Sequence, residues 1–141
     1  MNKLTMVQVI ESVKADAKAV WDILGDFGGI KIGGPVTAFE VTGEGVGATR
    51  SITMGGALIV ERLESYDPEN FTFSYAIINE DCPLPVADYS AFVKITADED
   101  GCIVDWTGNF EPKDAPEEQA SEMVRGIYTG AIAGARKALE S

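Results

Sequence analysis

The chain has 141 residues, of which 45% are hydrophobic and 24% charged, with 23 acidic against 11 basic side chains, two cysteines and no histidine. One domain with a genuine core fits that length, and a net charge of −12 repels nucleic-acid phosphates and anionic lipid surfaces. The lack of histidine removes Ser–His and Cys–His nucleophile pairs and imidazole metal ligands, Cys82 and Cys102 are too few and too far apart for a zinc site or a disulfide framework, and no run of about 18 apolar residues offers a membrane span.

No secretory h-region stands at the start, so a cytoplasmic protein is expected. Neither a metal nor a cofactor is expected, and a monomer and a homodimer both fit. Any acid–base work falls to Asp, Glu, Tyr, Lys or Cys.

Leu4 to Val13, rich in Val, Ile and Thr, reads as a strand. Asp16 then caps a short helix through Val20, Trp21, Ile23 and Leu24, ending near Gly25. A second short turn or helix, Asp26 to Ile30, runs into the turn Gly33-Gly34-Pro35. Val36 to Val41 is the second strand. Gly47 to Met54, Gly55-Gly56, and Ala57 to Tyr66 form the signature of a two-residue hairpin. If Met54 faces Ala57, Ile52 faces Ile59 and Arg50 faces Glu61. The pattern therefore sets two opposite charges on the core side of the sheet.

Phe71, Phe73, Tyr75 and Ile77 alternate with smaller polar residues. After the proline-bearing loop Asp81 to Pro85, a strand runs from Val86 to Ala97 with Ala87, Tyr89, Ala91, Val93 and Ile95 inward. Cys102 to Phe110 is the last strand. With Ala97 opposite Cys102, the inward sets of these two strands face each other.

Asp114 to Glu140 reads as one long helix, capped by Asp114 with Pro116 in its first turn. At about 100° per residue, Ala120, Met123, Val124, Ile127, Tyr128, Ala131, Ala135 and Ala138 share an apolar face. Glu122, Arg125, Thr129 and Arg136 fall opposite as a solvated face. Gly126, Gly130 and Gly134 line one edge of the apolar face, each costing about 1 kcal/mol against alanine. Either they let helix and sheet pack closely, or their missing side chains leave room for a ligand.

The sum is an α+β chain: a strand, two short helices, six strands and a long helix (β-α-α-β6-α or near). A curved antiparallel sheet of about seven strands wrapped around the last helix buries these faces most simply. This order resembles the START-like helix-grip superfamily, and in particular the bacterial polyketide cyclase/dehydrase and lipid-transport (SRPBCC) group. The stretches that carry the likeness are Ala19 to Phe27, Gly47-Ala48-Thr49-Arg50, Glu61-Arg62-Leu63 with Asp67, Pro83-Leu84-Pro85 and Val104-Asp105-Trp106.

The fold is also distantly similar to plant abscisic acid receptors. That resemblance implies an internal cavity lined by Ile30, Met54, Ile59, Glu61, Tyr75, Ile77, Tyr89, Ala91, Trp106, Met123, Ile127 and Ala131, with Arg50 beside Glu61. The receptors' longer gate loop and latch histidine have no counterpart in Met54-Gly55-Gly56 and Cys82-Pro83-Leu84.

Two readings attach to Arg50 and Glu61: a structural ion pair that fixes register, or a polar anchor in an apolar cavity. Tyr75, Tyr89 and Trp106 are core aromatics or an amphipathic wall. The first functional expectation is binding of a hydrophobic or aromatic small molecule, lipid-like or polyketide-like. The second is a cofactor-free cyclase, aromatase or dehydratase with Glu61, Arg50, Tyr75 and Tyr89 as catalytic candidates. The third is a protein-interaction domain.

Overall fold

The computed structural model describes residues 4–29, 36–79 and 84–140. Its elements are β1 (Thr5–Val13), α1 (Ala17–Leu24), β2 (Val36–Thr42), β3 (Thr49–Met54), β4 (Ala57–Asp67), β5 (Thr72–Ile77), β6 (Val86–Asp98), β7 (Gly101–Pro112) and α2 (Glu117–Glu140). The strands form one sheet in the order β1-β7-β6-β5-β4-β3-β2, antiparallel at every pairing.

Both registers expected from the sequence hold. Met54 faces Ala57 and Arg50 faces Glu61, while Ala97 faces Cys102, Ile95 faces Val104 and Val93 faces Trp106. Gly55 and Gly56 have φ of 56° and 83°, which a two-residue hairpin turn requires of both central residues. The alternation therefore carries side-chain direction along whole strands.

That alternation breaks in β6. The ladder shifts between Ala87 and Ser90, where Asp88 takes φ 51°. The extra residue of a bulge reverses the parity beyond it, so Val86 is buried and Ala87, expected inward, is not.

The helices differ from expectation in detail. Asp16 precedes α1 and its carbonyl accepts from Val20 N–H, but its side chain makes no capping bond. After Gly25 the chain makes a turn at Phe27 and Gly28 rather than a second helix, and residues 30–35 lie outside those described. Asp114 does not cap α2. It sits at φ 59°, and the first helical bond runs from Ala120 N–H to Pro116 O.

Helix α2 rests on β1 and β7, and α1 packs against α2, β6 and β7. The buried stripe of α2 is Ala120, Val124, Tyr128, Ile132 and Ala135. Compared with the face expected from the sequence, it is turned toward Ile132 and away from Met123, Ile127 and Ala138. The helix follows the sheet beneath it, not the centre of its own apolar arc. The turn brings Arg136 and Arg125 to β1: Arg136 Nη2 donates to Glu11 Oε1 at 3.0 Å and to Ser12 O at 2.8 Å, and Arg125 Nη1 to Gln8 O at 3.4 Å. Arg136 is thus a tie between helix and edge strand rather than a purely solvated side chain.

Candidate functional site

The β3–β4 hairpin sets Arg50 and Glu61 on one inward face with Ile52, Ile59 and Leu63. Arg50 is 7% exposed and Glu61 8%. Arg50 Nε donates to Glu61 Oε1 at 2.7 Å, and Nη2 lies 2.7 Å from the same oxygen. Nη1 donates to the carbonyl of Phe27 at 3.1 Å, and the guanidinium lies 4.2 Å from the Phe27 ring centre and 5.2 Å from that of Tyr75. The turn after α1 therefore clamps a side chain that β3 supplies. Of five guanidinium N–H groups, three are engaged in these contacts. Glu61 Oε1 takes both of its contacts, which leaves Oε2 as an acceptor. Desolvating such a pair offsets much of its Coulomb attraction, so its presence under the sheet is not explained by stability.

The wall opposite comes from three strands and α2. Trp106 Nε1 donates to Tyr75 Oη at 3.2 Å, Tyr89 and Tyr128 share a hydrogen bond between their hydroxyls, and Trp106 stacks on Tyr128 with ring centres 4.8 Å apart. A Cβ at Gly108 would run into the Tyr128 hydroxyl, so only glycine admits that ring. Burial pushes the phenols of Tyr75, Tyr89 and Tyr128 well up, with the Glu61 charge adding to the effect at Tyr75. They stay neutral near pH 7 and can donate protons in hydrogen bonds, but none is a base there.

Between these walls lie two compartments that share Arg50, Trp106 and Ala131. The inner one, about 170 Å³, is bordered by Glu61, Tyr75 and Tyr89 at its polar end and by Met54, Ile59, Ile77 and Ile127 elsewhere. The outer one, about 760 Å³, runs between α1 and α2 past Leu24, Phe73, Gly130 and Gly134 to a rim carrying Asp22, Ile23 and Asp26.

Ten of the residues singled out in the sequence thus border one space: Arg50, Met54, Ile59, Glu61, Tyr75, Ile77, Tyr89, Trp106, Ile127 and Ala131. Three do not join them. Ala91 is buried opposite Gly108 within the sheet, and its small side chain borders neither compartment. Met123 is 41% exposed in a separate surface hollow beside Leu84 and Lys113, because α2 is turned away from it. Ile30 lies outside the described residues, as do residues 81–83 of the loop from Asp81 to Pro85, of which only Leu84 and Pro85 are described. Leu84 reaches the inner compartment.

The sequence reading also missed residues of the site. Ile52 borders the inner compartment, and its inward place on β3 carried that signal. Phe27 borders neither compartment but holds Arg50 through its carbonyl and ring, and it carried no signal, since a backbone contact leaves no trace in residue type. The glycines are resolved by geometry: a Cβ at Gly126, Gly130 or Gly134 would meet nothing within 4 Å among the described residues. Close packing on the sheet, the plainer of the two readings, is therefore overturned. Gly130 and Gly134 border the outer compartment.

The family model described as polyketide cyclase / dehydrase and lipid transport matches residues 4–140. No curated protein matches the chain. Among solved structures, an uncharacterised protein of Bacillus thuringiensis superposes with a TM-score of 0.81 at 24% identity, covering 99% of this chain and 100% of that one. XoxI from Bacillus cereus follows at 0.80 and 24%, covering 99% and 96%, and Ara h 8.0201 at 0.79 and 15%, covering 96% and 97%. At these identities the likeness is one of fold, and the fold is the helix-grip arrangement of curved sheet and long terminal helix.

Proposed function

The chain belongs to the polyketide cyclase/dehydrase and lipid transport family, and from that premise we propose that it binds a hydrophobic or aromatic small molecule, lipid-like or polyketide-like, in the space between sheet and α2. The observation that carries this reading is the Arg50–Glu61 pair, over nine-tenths buried yet bordering open volume lined mainly by apolar and aromatic groups. Pockets that take small molecules have this composition: apolar walls and a few polar groups that fix orientation. Arg50, Glu61 and the phenols would orient the ligand, and Ile59, Ile77, Ile127 and Ala131 would bury it.

A cofactor-free cyclase, aromatase or dehydratase is the second reading. It is supported by Glu61 Oε2, an acceptor, bordering the same compartment as the neutral Tyr75 phenol, a donor. Against it, Glu61 already holds Arg50 through its other oxygen, and no second carboxylate borders that compartment among the described residues.

The test is titration with the uncharged fluorophore N-phenyl-1-naphthylamine, comparing the native chain with Ala131→Trp. One saturable site in the native chain, lost in the variant, is expected, since the new indole enters the waist that both compartments share. Equal binding by both proteins, or no saturable binding, would sink the reading. Turnover of a polyketide-like substrate that Glu61→Gln abolishes would move the conclusion to the enzyme.

A further inference from the structure

We infer that the cavity takes an uncharged molecule, apolar or aromatic in bulk, whose hydroxyl and carbonyl oxygens sit at the waist beside Arg50. This deepens the binding reading above and rests on it. The first argument is charge. Arg50 is already neutralised by Glu61 at 2.7 Å. A ligand carboxylate at the waist would set two anions on one guanidinium where little water screens them.

No other cation among the described residues would relieve that excess. Among the described residues bordering either compartment, Arg50 is the single cation. The rim of the outer compartment carries Asp22 and Asp26 instead. Lys18 offsets Asp22 at 3.1 Å, but Asp26 has no such partner among the described residues, and the chain as a whole is at −12. An anion approaching by that rim is repelled before it reaches the waist. A ligand cation at the waist would in the same way set two cations on the one carboxylate of Glu61.

The second argument is hydrogen-bonding capacity. Three of the guanidinium N–H groups are engaged, with Glu61 and with the Phe27 carbonyl, so two donors remain. Glu61 keeps Oε2 as an acceptor. Remaining donors match a carbonyl oxygen, and the remaining acceptor matches a hydroxyl. A molecule bearing both satisfies the pair without adding charge, and leaves no buried polar atom unpaired.

The third argument is volume. The inner compartment, about 170 Å³, is smaller than the 300–1,000 Å³ or so of ordinary ligand pockets, whereas the outer one, about 760 Å³, falls inside that range. The bulk of the ligand therefore lies along Gly130 and Gly134, where missing side chains leave room, and one end passes the waist.

The experiment is calorimetric titration near neutral pH with three probes on one naphthalene skeleton: 2-acetonaphthone, 2-naphthol and 2-naphthoate. Both uncharged probes are expected to bind the native chain at least about tenfold more tightly than the anion. In Glu61→Gln, which leaves Arg50 charged and uncompensated, the gap narrows or reverses. Tightest binding by 2-naphthoate to the native chain would overturn the inference and leave the binding reading standing. Failure of all three to bind would overturn both. A gap unchanged in a folded Glu61→Gln would show that Glu61 is not its source, which also overturns the inference. Should that variant not fold, the order of the three probes on the native chain decides.

Discussion

Val124, Tyr128 and Ile132 of α2 are 2% exposed or less, whereas Ile127, Gly130 and Gly134, next to them around the helix, border empty volume. The same contrast runs across the sheet. The half formed by β1, β7 and β6 lies under the two helices with Val7, Val9, Val93 and Val104 all nearly inaccessible, while Arg50 and Glu61 on β3 and β4 border the cavity. One half keeps its valines out of reach of solvent, and the other borders open volume. The difference separates what keeps the chain folded from what is available to a ligand, and it predicts that mutations on the two sides will have different signatures.

The largest stability effect comes from the cavity side itself, through charge. Arg50→Met leaves Glu61 buried without its partner and is expected to cost about 3–5 kcal/mol, with Arg50→Met/Glu61→Leu regaining most of it. Urea unfolding of the two variants measures this. A double variant no more stable than the single one would mean that the pair is needed for packing, and the contrast between halves would be weaker than drawn.

A matched pair on α2 comes next. Ile132→Ala should cost about 2–5 kcal/mol, because its side chain is wholly enclosed and leaves a cavity. Ile127→Ala, at a site 37% exposed, should stay within about 1 kcal/mol while weakening N-phenyl-1-naphthylamine binding severalfold. Comparable unfolding midpoints for the two would erase the distinction between the stripes.

The smallest effect is a gain. Gly126→Ala adds a methyl group that meets nothing within 4 Å among the described residues and borders neither compartment, so it should raise stability by up to about 1 kcal/mol through helix propensity and leave probe binding unchanged. Gly130→Leu should likewise not destabilise the helix, yet it fills the outer compartment and should reduce binding. A melting temperature lowered by Gly126→Ala would point to a contact that this arrangement lacks.

Much of the fold was legible because it depends on residues near one another along the chain. Period-two alternation and the Gly55-Gly56 turn placed Arg50 against Glu61 without any tertiary contact, and alternation with Ala97 opposite Cys102 did the same for β6 and β7. Where local chemistry was overridden, the reading slipped: the bulge at Asp88 reversed the parity of Ala87, and Asp114 takes a positive φ while α2 starts at Glu117.

The candidate site divides along the same line. Its strand residues were legible from parity, and its helix residues only in part, since Met123 and Ile127 belonged to the same broad apolar arc as Val124 and Tyr128. The sequence by itself determined the strands, their hairpin registers and the amphipathic character of α2, because each rests on a short-range period. Tertiary structure alone decided which part of that arc met β1 and β7, and so left Gly130 and Gly134 over a cavity. Empty volume belongs to the spacing between elements distant in the chain, and no residue encodes it singly.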